Sequence, residues 1–151
     1  MNLGGRRLTN DELTVAIEAC GCREVRTYQA SGNVVAVDER SEDKLAVALE
    51  EGLEAALGYA VPVFLRNARE VRRILAATPF SDAARAASSG KPQVIFLRAP
   101  LSADALRVVE TLIPDDDHMV ATDRELHWLP AAGLADSTLD LRRLDAVTGG
   151  T

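Results

Sequence analysis

The chain is short of aromatic residues, cysteine, basic charge and long apolar runs, and each shortage removes a class of function. Aromatics make up 4% of it, and 17 Lys+Arg stand against 23 Asp+Glu, a formal charge of -6. It thus lacks the basic field and the stacking platforms by which proteins hold single-stranded nucleic acid or anionic membrane, so neither is an expected partner. No stretch approaches the roughly 18 apolar residues that cross a bilayer, and the N-terminus lacks a signal peptide's charged start and apolar run. The expected compartment is the cytosol. Cys20 and Cys22, one residue apart, are poorly spaced for a stapling disulfide and too few for structural zinc, so both are read as reduced structural thiols. There is no Gly-x-Ser-x-Gly elbow, phosphate loop or His-Glu-x-x-His element, so the sequence assigns no metal, cofactor or reaction.

What is present is a chain of 151 residues, 47% hydrophobic, enough for one domain with a sizeable core. Thr9 and Glu12 have capping-box spacing, and Leu13, Ala16, Ile17 and Cys20 then recur with helical period, with Gly21 as the stop. Val25 to Tyr28 and Val34 to Val37 flank the turn-forming Ala30-Ser31-Gly32-Asn33 and read as a hairpin. Ser41 opens a second helix closed by Gly58, a strand is expected from Val61 to Arg66, and Asn67 with Glu70 starts a third helix carrying Val71, Ile74 and Leu75.

The stretch from Ser81 to Pro92 has no period and reads as a linker. After it come a strand at Val94 to Leu97, a helix capped by Ser102, a hairpin turning at Asp123-Arg124, and a last helix expected to start near Ser137 with Leu141, Leu144 and Val147 inward. The order α-β-β-α-β-α, then β-α-β-β-α, points to an α+β fold of two split β-α-β (ferredoxin-like) units, each missing one strand. The expected organisation is a single domain over 1–151, with pseudo-repeat halves of about 1–80 and 92–151 joined by a linker over 81–91.

These residues resemble a known family. Asn2-Leu3-Gly4-Gly5-Arg6 looks like its Gly-rich loop, Thr27-Tyr28-Gln29-Ala30-Ser31-Gly32-Asn33 like its Thr-Tyr-x-x-Ser-Gly-Asn hairpin, and Thr78-Pro79-Phe80 like its Asn-Pro-Phe turn. Glu125-Leu126 with Trp128-Leu129-Pro130, and Ser137 with Leu139, resemble later elements. Together they identify the chain as resembling the domain-of-unknown-function family 1697. The resemblance implies intertwined, duplicated ferredoxin-like units and carries over no catalytic residue. Members have a strand before the Gly-rich loop and a basic segment after the last helix. Neither is found here, so the fold is expected to be trimmed at both ends and the natural protein to begin upstream of Met1.

The best candidate site is Gly4-Gly5-Arg6-Arg7, with Asn2, just before the first helix. Glycines let backbone N–H groups converge, a helix start adds partial positive charge, and two arginines add full charge, which is a recipe for holding a phosphate or carboxylate. The competing explanation is a tight strand-to-helix turn with solvent-facing arginines. In a split β-α-β unit this loop and the hairpin tip share one end of the sheet, so Ser31, Gly32 and Asn33 are expected beside it. His127 is read as structural or exposed rather than as a general base, and Asp115-Asp116-Asp117 as a solvated loop. The leading expectation is binding of a small anionic ligand at these two loops; the alternative is a non-catalytic protein-protein interaction module.

Overall fold

The computed structural model describes residues 2–3, 6–29 and 31–149, and the chain divides into two compact units, Met1–Leu65 and Arg66–Thr151. Helices and strands are mixed and the strands form small sheets, as expected of the α+β class.

In the first unit, β1 (Asn2–Leu3) pairs antiparallel with β2 (Arg6–Arg7). Helix α1 (Asn10–Ala19) begins where the capping box predicts. The Thr9 hydroxyl accepts the Glu12 N–H at 3.2 Å, and the Glu12 carboxylate accepts the Thr9 N–H at 2.8 Å, so two first-turn donors are satisfied reciprocally. The apolar stripe of α1 buries Leu13, Ala16 and Ile17 beside Leu8. Gly21, at φ +91°, then turns the chain through a conformation that a Cβ would strain. Strands β3 (Arg23–Tyr28) and β4 (Asn33–Val37) form the expected antiparallel hairpin, irregular in register between Arg23 and Arg26. Helix α2 (Glu42–Leu57) closes the core with Leu49 and Leu53, each worth about 1.5–3 kcal/mol over an exposed side chain. Gly52 sits inside α2 because a Cβ there would collide with the Cys20 Sγ.

The strand expected over Val61 to Arg66 is absent from the observed elements. Val61, Val63 and Leu65 do pack on the core, which is what their alternation reflects, but the Val63 N–H donates to the Glu50 side chain at 3.0 Å rather than to a neighbouring strand. Apolar alternation reports packing and cannot reveal whether a strand partner is at hand.

The second unit contains α3 (Ala68–Ala76), α4 (Asp82–Ala87), β5 (Gln93–Phe96), α5 (Ala103–Leu112), β6 (His118–Ala121), β7 (Glu125–Leu129) and α6 (Leu141–Thr148). Its sheet has the order β5-β7-β6 with both pairings antiparallel, so β5 and β6 run the same way with β7 between them. All five residues of β7 are buried. Alternation sends Leu126 and Trp128 to one face, where they join Leu97, Val109, Leu139 and Leu144 in the core, and Glu125, His127 and Leu129 to the other.

Two expectations for this unit are corrected. The segment read as a featureless linker carries α4, whose N-terminus is capped by Ser81 accepting the Ala84 N–H at 3.2 Å. None of its residues is buried, so it has no apolar stripe for a periodicity argument to detect. Ser137 does not start the last helix: Asp140 does, accepting the Arg143 N–H at 3.0 Å, while Ser137 turns its hydroxyl to Asp117 at 3.2 Å. The shifted start leaves Leu141 exposed, while Leu144 is buried and Val147 packs beside it.

Candidate functional site

Of the expected site residues, Ser31, Gly32 and Asn33 are brought together at the hairpin tip. The Ser31 hydroxyl donates to the Tyr28 carbonyl at 2.6 Å and accepts the Asn33 backbone N–H at 3.4 Å and its Nδ2 at 3.0 Å. Gly32, at φ +78°, completes the turn, and Ser31, Gly32 and Asn33 are all exposed. The tip is therefore organised by its own bonds. Asn2, Arg6 and Arg7 lie in the separate β1–β2 pair, and Gly4 and Gly5 lie outside the described residues.

The helix start alters the electrostatics expected for the loop. The two hydrogen bonds from Thr9 hold the Glu12 carboxyl below its ordinary range, so a full negative charge sits at the N-terminus of α1, with Asp11 beside it in the first turn. The partial positive charge of the helix is already answered there.

Three polar clusters were not anticipated. Asp38 takes both the Arg40 Nε at 2.8 Å and its NH2 at 2.6 Å, a fork that drives its carboxyl far below the usual range. The same guanidinium reaches the Cys20 carbonyl at 2.9 Å, while the Cys22 thiol lies 3.6 Å from Asp38. Burial pushes both thiols up, which favours inert thiols over thiolates. Cys22 is the more buried of the two, and Cys20, on the apolar stripe of α1, is only partly buried. A surface depression of about 360 Å³ beside Asp38 is lined by Arg23 and Arg40, but each is paired, with Glu39 at 2.7 Å and with Asp38. It offers a ligand no uncompensated charge.

In the second unit Arg66 and Glu125 form a buried ion pair at 2.7 Å, their side chains 4% and 1% exposed. The Arg66 guanidinium also donates to the carbonyls of Leu97 and Arg124, and it lies 5.1 Å from the Phe96 ring centre. Asp117, expected in a solvated loop, is instead buried: it accepts the Trp128 indole N–H at 2.8 Å, the Ala131 N–H at 2.8 Å and the Ser137 hydroxyl. The sequence signal was available in the pairing of a buried-strand tryptophan, which needs an acceptor, with a nearby Ser-x-Leu. Among the described residues no group of three His, Cys, Asp or Glu side chains is placed to hold a metal ion, and no helix is long and apolar enough to cross a membrane.

His127 is buried in the middle of β7, and loss of solvent lowers its pKa below the ordinary 6.5, with the Glu125 charge acting the other way. The folded state thus resists a proton that the unfolded chain accepts. The stability this neutral imidazole permits is present above pH 6.5 and is lost as pH falls toward the folded value. Urea midpoints measured from pH 7.5 down to 5 should decline, and His127→Phe should flatten that part of the profile; an equally steep profile in the variant would assign the decline elsewhere.

Comparison with curated proteins and with solved structures finds no match. Residues 1–127 match the family described as "Protein of unknown function (DUF1697)". That span takes in β1 through Asp82 and on to the buried Glu125 and His127, and covers most of the 151 residues, so the chain belongs to the DUF1697 family.

Proposed function

We propose that this protein binds a small anionic ligand between Gly4-Gly5-Arg6-Arg7, with Asn2, and the hairpin tip Ser31-Gly32-Asn33. What supports the reading is that helix α1 packs against β3, with the left-handed turn at Gly21 between them. A strand that returns along a helix of about 15 Å carries its far end toward the helix start, so in this reading the hairpin tip and the loop before α1 fall at one end of the unit. With Glu12 already occupying the helix start, the two arginines supply the charge and Asn33 supplies a directional hydrogen bond.

The finer architecture we propose is a pair of intertwined ferredoxin-like units trimmed at both ends, forming one domain with halves of about 1–80 and 92–151. It is supported by the β5-β7-β6 order, in which β7 separates two strands joined through α5, and by the parallel between α1-β3-β4-α2 and α5-β6-β7-α6. A cytosolic setting fits the two thiols.

Titration calorimetry with inorganic phosphate and pyrophosphate tests the site. Binding is expected, and Arg6→Ala with Arg7→Ala should weaken it by about 1.5–3 kcal/mol for each charged hydrogen bond made. Arg98→Ala, in a loop where Pro100 removes an N–H donor, should leave it unchanged. Equal affinity in the Arg6/Arg7 variant would remove the site.

A further inference from the structure

Asp117 is a buried acid whose hydrogen bonds leave its charge unanswered. Its carboxylate accepts the Trp128 indole N–H at 2.8 Å, the Ala131 N–H at 2.8 Å and the Ser137 hydroxyl at 3.2 Å, and all three donors are neutral. Among the described residues no Lys, Arg or His forms an ion pair with it, whereas Glu125, the other acid buried in this unit, has both Arg66 and Arg73. A buried carboxylate ordinarily has a cation beside it, because neutral hydrogen bonds recover only part of the lost hydration. Two carboxylate oxygens offer about four acceptor sites, and three donors do not fill them. The same residue borders a surface cleft of about 360 Å³, a volume in the range of small-molecule sites. The facing walls are mainly apolar: Phe80, Ala84, Ile113, Met119 and Val120, with Phe80 only 7% exposed. Of the polar residues that also border it, Ser81 is engaged in capping α4 and His118 is exposed. The Thr78-Pro79-Phe80 turn, Trp128 and Ser137, which the anion site leaves unused, all meet around Asp117 and this cleft.

We propose that this cleft binds a small organic cation, an ammonium group carried on a compact apolar body, with Asp117 as its counter-ion. The ammonium brings the positive charge that the indole, the amide and the hydroxyl lack, and it donates to the acceptor capacity they leave. The apolar walls take the body, and an aromatic wall such as Phe80 suits a cation better than an aliphatic one would. An anion would meet the Asp117 charge where water is partly excluded, and a neutral ligand would leave that charge unanswered. A bare inorganic cation answers the charge but gains nothing from the walls, and a small divalent ion gives up its own water reluctantly. This site stands apart from the anion site, since every residue of it lies in the second unit.

The test uses the intact chain, whose single tryptophan donates to this carboxylate and so reports occupancy by its emission. Benzylammonium chloride is the probe. Benzyl alcohol keeps the body without the charge, benzoate reverses the charge, and ammonium chloride keeps the charge without the body. Benzylammonium should change the emission saturably and raise the melting temperature, and the other three should do neither at equal concentration and ionic strength. Asp117→Asn should weaken binding at least tenfold. Because that change also removes hydrogen bonds the fold uses, Ala84→Lys gives a second reading. It sets a cation on the cleft wall, which competes for Asp117 and repels the probe, and it should weaken binding at least tenfold with no fall in melting temperature, since no residue of α4 is buried. Absence of a saturable response, an equal response to benzyl alcohol or to ammonium chloride, or unchanged affinity in either variant would overturn the inference and leave Asp117 a structural acid alone.

Discussion

Glu125→Ala should lower stability by about 3–5 kcal/mol, read as a shift of the urea midpoint at unchanged slope. The carboxylate is 1% exposed and its partner Arg66 is 4% exposed, so removing the acid strands a cation away from water. Arg66 would keep its carbonyl acceptors at Leu97 and Arg124, but neutral oxygens do not offset a full charge. Arg66→Ala should cost less, because Arg73 at 3.4 Å and the Thr122 hydroxyl at 3.2 Å remain to answer Glu125. Glu125→Gln keeps the shape and discards only the charge, and should fall between wild type and Glu125→Ala. Equal losses for Arg66→Ala and Glu125→Ala would show that packing, not charge, sets the cost.

Asp117→Ala should be the next most damaging change, at about 2–4 kcal/mol, because it leaves the Trp128 indole N–H and the Ala131 N–H without their acceptor. Asp117→Asn is the sharper probe. Its carboxamide has one oxygen for three donors, so whichever way it turns, an N–H of the amide meets the indole N–H or the Ala131 N–H. The chain has a single tryptophan, so its emission reports this site directly. A red shift on substitution, together with a lower melting point, is expected; emission identical to wild type would mean that the indole proton is satisfied some other way.

The parts of the fold that local chemistry specifies were legible. Capping boxes at Thr9 and Asn67, caps at Ser81 and Ser102, left-handed glycines at Gly21 and Gly58, and the turn at Asp123-Arg124 all act through neighbours within four residues, and only Ser81 was passed over. The failures share a different cause. Glu50 taking the Val63 N–H, Asp117 gathering Trp128, Ala131 and Ser137, and Arg66 finding Glu125 are contacts between residues 11 to 59 positions apart. Nothing in a window of sequence marks one acid as a partner and the next as solvated: Asp115 and Asp116 are exposed, and Asp117 is not. At the candidate site the turn residues Ser31, Gly32 and Asn33 were readable, and so was the capping box, but its consequence, that the Glu12 carboxylate already occupies the helix start, was not drawn when an anion was expected there.

The separation in sequence of the α3 anchors also orders events in time. Strands β6 and β7 meet through a three-residue turn, a closure that costs little chain entropy, whereas Arg66 reaches Glu125 across 59 positions and Glu70 reaches Arg124 across 54. Those ion pairs gain strength only once water has been expelled from around Glu125, and so only after the sheet has assembled behind it. Helix α3 is then expected to settle late in the folding of its unit and to lift away early in unfolding, a late-closing flap over a strand that has already committed to its neighbours.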